Sequence, residues 1–193
     1  MFARTERLLL RPGWTEDAPA LFAAIADEGI VRNLASAPWP YARADAEAFL
    51  ATERAACEPS FLLFRRTRGA PQLVGSAGIG RSPDGAAELG YWVARPYWGL
   101  GYGTEAARAV IAIARHGLWL RTLSAGHFID NPASGRILEK IGFRATGEIR
   151  ERYSAGRRAA APSRLFELDL RCAVADEDED AAAAMPDRFC IAA

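Results

Sequence analysis

The chain has 193 residues, of which 50% are hydrophobic and 25% charged, and its formal net charge is +0. This length fits one well-packed domain and is short for two. The balanced charge gives no reason to expect a nucleic-acid or membrane-surface partner, and no apolar run approaches the ~20 residues of a membrane span. The three cysteines are odd in number and widely spaced, which predicts neither a metal site nor a disulfide framework and favours a reducing cytoplasm.

Apolar runs, turn residues and helical spacing predict strands and helices that alternate along the chain. The predicted strands cover residues 7–11, 60–66, 72–80, a segment that starts at 88, then 123–129, 143–153 and 165–170. The predicted helices cover a segment that Thr15 caps, then residues 43–57, 104–116 and 131–141.

The segment after Glu88 carries the clearest chemical signal. It is predicted to form a strand, a turn spaced by Gly99, Gly101 and Gly103, and then an alanine-rich helix. Because glycines leave the turn without side chains, its backbone N–H groups can point into one small concavity. At a helix N-terminus such a concavity binds phosphate through unpaired donors and the positive end of the helix dipole. The segment therefore predicts a phosphate-binding turn.

Two families place a glycine-rich turn between a strand and a helix. A dinucleotide-binding Rossmann unit would have this turn near the start of a βαβ unit, with an acidic residue ~20 residues later. Here the turn lies in the middle of the chain, and residues 120–124 contain no acid. An NAD-dependent oxidoreductase is therefore a remote alternative.

The other family is the GNAT superfamily of acetyl-coenzyme A-dependent N-acetyltransferases, which the chain resembles in three segments. Trp98, Gly101 and Gly103 occupy the marked places of its Arg/Gln-x-x-Gly-x-Gly/Ala motif. Trp98 replaces the usual Arg or Gln, as is common in the branch resembling the RimJ/RimL acetyltransferases. Residues 5–12 resemble that branch's first strand, and residues 131–143 resemble its Asn-x-x-Ser-x-Arg…Glu-Lys-x-Gly-Phe signature.

The resemblance implies an α/β (α+β) fold with one domain. Its central mixed sheet would have about seven mostly antiparallel strands, flanked by about four helices and splayed at mid-sheet. The predicted domain covers residues 1–172. Residues 173–193 carry an acidic run followed by alanines, which predicts a disordered, solvated tail.

By the same resemblance, acetyl-CoA is the cosubstrate and no metal is required. The pantetheine arm would pair with the splayed strand at Trp92, Val93 and Ala94, and the N–H of Val93 would hold the thioester oxygen as it gains charge. The diphosphate would bind to the turn at Gly99, Leu100, Gly101, Tyr102, Gly103 and Thr104.

Three further residues have an implied coenzyme contact and a simpler alternative. Asn131 would bond the pantetheine amide, or it forms a turn before Pro132. Arg136 or Arg108 would meet the adenosine 3′-phosphate, or each is a solvated helix arginine.

Two side chains are the catalytic candidates. The tyrosine that many superfamily members use as general acid is replaced by Leu138. Ser134 stands where RimJ/RimL-like members often carry a serine, so it would protonate the departing thiolate; otherwise it caps a helix. Glu88, near the start of the splayed strand, is the candidate base; otherwise it is a strand-edge carboxylate that faces solvent.

The acceptor is expected to be a primary amine. At pH 7 the removal of a proton costs about 1 kcal/mol for an α-amine of pKa ~7.7–8 and about 4–5 kcal/mol for a lysine of pKa ~10.4. A weak, water-mediated base therefore favours a protein N-terminus or a small amine of low pKa. The partners would include neither nucleic acid nor a membrane, and homodimers are common among similar proteins. A non-catalytic acyl-CoA sensor is the alternative function, and the missing tyrosine supports it.

Overall fold

The computed structural model of the protein describes residues 1–171. The predicted acidic tail at residues 173–193 and the cysteines Cys172 and Cys190 lie outside the described residues.

One mixed sheet of eight strands organises the described part of the chain, in the order β1-β2-β3-β4-β5-β6-β8-β7. Every neighbouring pair is antiparallel except β5 and β6. The predicted mixed, mostly antiparallel sheet is confirmed, with eight strands rather than seven because a two-residue N-terminal strand adds to its edge. The strands are β1 (Ala3–Arg4), β2 (Leu8–Arg11), β3 (Ser60–Arg65), β4 (Gln72–Arg81), β5 (Ala87–Val93), β6 (Thr122–Phe128), β7 (Arg144–Ser154) and β8 (Ala159–Asp169).

Five α-helices accompany the sheet in residues 1–171, one more than expected. The additional helix is a single turn, α2, and a five-residue π-helix, Ile113–Gly117, continues α4. The helices are α1 (Ala18–Ile25), α2 (Glu28–Val31), α3 (Arg43–Ala51), α4 (Tyr102–Ala112) and α5 (Pro132–Lys140).

Both faces of the sheet are covered by helices, as the burial of β3 shows. Its four central residues, 61–64, are all buried although strand side chains alternate between faces. Phe61 and Leu63 belong to a core cluster that includes α4 and α5, whereas Leu62 and Phe64 belong to a second cluster with α1, α2 and α3. The sheet therefore separates the α4/α5 layer from the α1–α3 layer.

The sheet splays between β5 and β6. The two strands share a single bridge, Glu88 with Ser124, and the Ser124 hydroxyl donates to Ala87 O over 2.8 Å. Beyond this point β5 continues to Val93, and no other described strand pairs with it on that edge. The predicted mid-sheet opening is therefore present, and α4 begins a few residues after the unpaired end of β5.

Candidate active site

The glycine turn before α4 has two glycines with positive φ and a row of free backbone donors. Gly99 and Gly101 have φ values of 74° and 82°, a region that residues with a side chain rarely adopt. This conformation delivers the chain to Tyr102, the first residue of α4. No atom of residues 1–171 accepts a hydrogen bond from the six amides of residues 99–104. Unpaired donors at a helix N-terminus attract a phosphate group.

Arg7, the residue just before β2, fixes this turn, a role that sequence reasoning missed. Its Nη1 donates to Leu100 O over 2.9 Å, and its guanidinium lies 4.6 Å from the Tyr102 ring centroid. A 2.7 Å ion pair joins Arg7 to Glu105 on the first turn of α4. Burial would raise the pKa of Glu105, but hydrogen bonds from Thr5 and Arg7 outweigh it and lower that pKa. The Glu105 charge that holds Arg7 is therefore present at neutral pH.

We expect Arg7→Met to weaken acetyl-CoA binding about tenfold by calorimetry. The turn loses a hydrogen bond from a charged donor, worth roughly 1.5 kcal/mol, and Glu105 is left without its counter-charge. Adding Glu105→Gln removes that charge without restoring the anchor, so the double variant should still bind weakly. Arg81→Met is the matched control, because Arg81 also pairs with a glutamate, Glu58, and donates from Nη1 to a backbone carbonyl, Gly85 O at 3.0 Å, in the β4–β5 connection away from the turn. Equal loss in the control would contradict the anchoring role.

The end of β5 presents one amide to the opening. Ala94 N donates to Val74 O and Ala94 O accepts from Tyr97 N, so both backbone groups of Ala94 have partners. In an antiparallel ladder, successive residues direct their N–H groups alternately toward and away from the neighbouring strand. Trp92, two residues before Ala94, therefore directs its N–H toward β4, where it pairs with Ser76. Val93 directs its N–H away from β4, toward the opening, and its carbonyl accepts from Trp98 Nε1 over 2.6 Å. Of the three predicted backbone positions, Val93 is the one whose amide faces the splay.

The N-terminal part of α5 brings two predicted residues to the same opening. Asn131 precedes the helix, and its side chain makes no hydrogen bond within residues 1–171. Ser134 lies one turn later, and its hydroxyl is 3.0 Å from the phenol of Tyr91 on β5. Arg136 is exposed on α5 and has no ion pair in the described part of the chain.

Tyr91 is a second side chain that sequence reasoning missed. Strand alternation places it on the face of β5 that Leu89 and Val93 also occupy, toward the α4/α5 layer. A Cβ on Gly103 would lie 3.7 Å from the Tyr91 ring, so the ring packs against the first turn of α4. Burial raises the pKa of Tyr91, and the hydrogen bond with Ser134 only partly opposes that shift.

Glu88 lies on the opposite face of β5 and is paired with Arg152 from β7. The guanidinium contacts both carboxylate oxygens, one of them over 2.8 Å. The Arg152 side chain crosses Gly126 to reach Glu88. A Cβ added to Gly126 would lie 3.5 Å from Arg152 Nη1. The Glu88 side chain is 12% exposed, so it does not face bulk solvent. The hydrogen bond that Arg152 donates to Glu88 also raises the pKa of Arg152.

The two catalytic candidates therefore lie on opposite faces of the strand that borders the opening. Ser134 and the glycine turn belong to the α4/α5 side, and Glu88 belongs to the other. An acyl donor on one side and an acceptor on the other could meet at the gap. Within residues 1–171 no group of His, Cys, Asp and Glu side chains could hold a metal ion, and no helix there is long and apolar enough to span a membrane.

Fold and site together define an acetyltransferase of the splayed-sheet type. A family model described as an acetyltransferase (GNAT) domain matches residues 7–144, and the chain belongs to this family. It is thus an acyltransferase enzyme. The Rossmann alternative is wrong, because β5 and β6 are the one parallel pair among the described strands.

Similar proteins agree with this assignment. The chain is 28% identical over 154 residues to the uncharacterized N-acetyltransferase YoaA of Bacillus subtilis, which covers 76% of this chain and 85% of that protein. It is 35% identical over 65 residues to the putative ribosomal N-acetyltransferase YdaF of the same organism, covering 34% of this chain and 36% of YdaF. These matches support the RimJ/RimL-like assignment made from the motifs.

Solved structures share the fold. A GNAT-family acetyltransferase from Bacillus anthracis superimposes with a TM-score of 0.75 at 23% identity, covering 89% of this chain and 99% of that one. RimL, a ribosomal L7/L12 alpha-N-protein acetyltransferase solved in complex with coenzyme A, superimposes with a TM-score of 0.70 at 16% identity. The match covers 88% of this chain and 98% of the RimL chain.

Proposed function

We propose that this protein transfers an acetyl group from acetyl-CoA to a primary amine by direct attack in a ternary complex. The observation that carries the proposal is the row of six amides at residues 99–104, which have no acceptor within residues 1–171 and lie a few residues after the end of β5. A diphosphate bound there would direct the attached pantetheine arm along the free edge of β5. The coenzyme A in the RimL structure supports the same ligand class.

The chemistry would use groups on both faces of β5. The amine lone pair attacks the thioester carbon, and the N–H of Val93 stabilises the oxyanion that forms. When the carbon–sulfur bond breaks, its electron pair stays on sulfur, which takes a proton from Ser134. The attacking nitrogen gives one proton to the water beside Glu88, and Ser134 recovers a proton from solvent, so the net transfer is one proton from nitrogen to sulfur. Asn131 and Arg136 would contact the pantetheine amide and the adenosine phosphate.

Glu88 would act on the acceptor side through water. Both of its oxygens bind Arg152, yet each carboxylate oxygen has two lone pairs, so Glu88 can still accept from a water molecule next to the amine. A carboxylate that acts through water is a weak base, which suits an α-amine of pKa ~7.7–8 better than a lysine of pKa ~10.4. The acceptor we propose is a protein N-terminus or a small amine of low pKa.

The proposal includes the setting in which the reaction occurs. A reducing cytoplasm is favoured by the absence of a disulfide framework in the sequence. The amine acceptor is the proposed partner, without a role for nucleic acid or membrane, and a homodimer is the assembly to test by light scattering.

A non-catalytic acyl-CoA sensor is the second candidate, and one observation favours it. Leu138, at the place of the usual tyrosine acid, is 1% exposed and belongs to the core, so it contributes no proton donor. The two functions differ in turnover. Acetyl-CoA binding is measured by calorimetry, and thiol release is followed with pentapeptides that begin with free Ala, Ser, Met or Thr and with small amines. Binding without thiol release on any amine would favour the sensor.

A further inference from the structure

We infer that Tyr91 is a positioning residue for acetyl transfer, because its phenol directs the hydroxyl hydrogen of Ser134 toward the coenzyme sulfur. The inference rests on the proposed function and adds a residue that the family motifs do not mark. Its basis is the contact between strand β5 and helix α5, where the Tyr91 phenol meets both the hydroxyl and the carbonyl of Ser134.

The position of Tyr91 suits this task. It lies two residues before Val93 on the same face of β5, and its ring packs toward Gly103. One side chain therefore touches the first turn of α4 and the first turn of α5, the two helix ends that flank the opening. Any coenzyme that runs from the glycine turn along β5 would pass beside the Tyr91–Ser134 pair.

The two hydroxyl groups have two hydrogens and can arrange them in two ways. In the first, Ser134 donates to Tyr91 over 3.0 Å and Tyr91 donates to Ser134 O over 3.3 Å, which uses both hydrogens. In the second, Tyr91 donates to Ser134 Oγ, and the Ser134 hydrogen is free for another acceptor. The two hydroxyl hydrogens exchange partners by rotation about their C–O bonds, and no heavy atom has to move.

A departing thiolate selects the second arrangement. A hydrogen bond to a charged acceptor is roughly twice as strong as a neutral one, so the negative sulfur attracts the Ser134 hydrogen. The phenol then donates to Ser134 Oγ, and this polarises the serine O–H and strengthens its bond to sulfur. Because burial raises the pKa of Tyr91, the phenol keeps its proton and remains a donor at neutral pH.

A double-mutant cycle separates this role from simple packing. Tyr91→Phe keeps the ring and removes the hydroxyl, so we expect kcat to fall about fivefold, with an unchanged KM and calorimetric Kd for acetyl-CoA. Ser134→Ala should lower kcat more strongly, at least tenfold. If Tyr91 acts through Ser134, the Tyr91→Phe, Ser134→Ala double variant will have the kcat of Ser134→Ala alone.

The matched control is Tyr41→Phe. Tyr41 is also buried, at 7% exposure, but it belongs to the core cluster on the α1–α3 side and its hydroxyl has no hydrogen bond within residues 1–171. Removal of the Tyr41 hydroxyl should leave kcat unchanged. Multiplying effects in the double variant, a wild-type kcat for Tyr91→Phe, or a loss confined to acetyl-CoA affinity would each overturn the positioning role.

The assay also tells this inference apart from the proposed function. The wild-type enzyme is first measured with acetyl-CoA and the pentapeptides that carry a free N-terminus. If no amine gives thiol release, both the proposed function and the inference about Tyr91 are contradicted. If the wild type turns over and Tyr91→Phe is equally active, only the inference about Tyr91 is contradicted.

Discussion

Gly101→Glu is expected to weaken acetyl-CoA binding about a hundredfold while the fold survives. At a φ of 82° a residue with a Cβ is strained by roughly 1–2 kcal/mol, and coenzyme binding would have to restore that conformation. The added carboxylate would repel the diphosphate by about 1 kcal/mol or more. A Cβ at this position also lies 3.3 Å from Arg7 Nη2, so the new charge would compete for the anchor of the turn. Calorimetry with acetyl-CoA measures the loss.

Two comparison variants divide this loss into its causes. Gly101→Ala introduces the strain without the charge and should lose about tenfold. Gly147→Glu introduces the same charge and a similar strain, at a φ of 86° with no atom within 4 Å of the added Cβ, on β7. It should lower the melting temperature by an amount similar to Gly101→Glu and leave coenzyme affinity unchanged. Normal affinity in Gly101→Glu would rule out the turn as the diphosphate site.

Local sequence predicted the parts of the site that depend on neighbouring residues. The glycine turn, the start of α5 and the strand before them are each encoded within a few residues, since glycine, proline and apolar spacing act over one or two turns of chain. The pairs Tyr91–Ser134 and Glu88–Arg152 join residues 43 and 64 apart. Such contacts depend on which strands become neighbours, and the local pattern does not specify that order.

Element boundaries differ from prediction for identifiable reasons. Helix α3 ends at Ala51, although it was predicted to reach residue 57. Pro59 disfavours helix just before it, and β3 starts at Ser60. Strand β8 begins at Ala159 rather than at 165. Pro162 indicated a loop, but it lies one residue past the end of the β6–β8 pairing, where its carbonyl still accepts from Ile129 N. At the end of a ladder a residue without an N–H is tolerated.

Glu88→Gln is expected to lower kcat about tenfold at pH 7, with a deficit that shrinks as pH rises toward 9. An α-amine of pKa ~8 is about one-tenth neutral at pH 7, so a base can supply roughly tenfold more of the reactive form. Above pH 8 most of the amine is already neutral, and the base adds little. The measurement is kcat against pH from 6.5 to 9 for both enzymes, with saturating acetyl-CoA and the best pentapeptide.

Glu58→Gln is the control for removing an ion-paired carboxylate. Glu58 pairs with Arg81 over 2.9 Å, outside the opening, and its loss should leave the pH profile unchanged. A deficit of Glu88→Gln that is the same at pH 7 and pH 9 would instead mean that Glu88 serves only to hold Arg152. In that case the low-pKa acceptor would have to lose its proton to bulk water. The rate would then follow the titration of the amine itself in both the wild type and the variant.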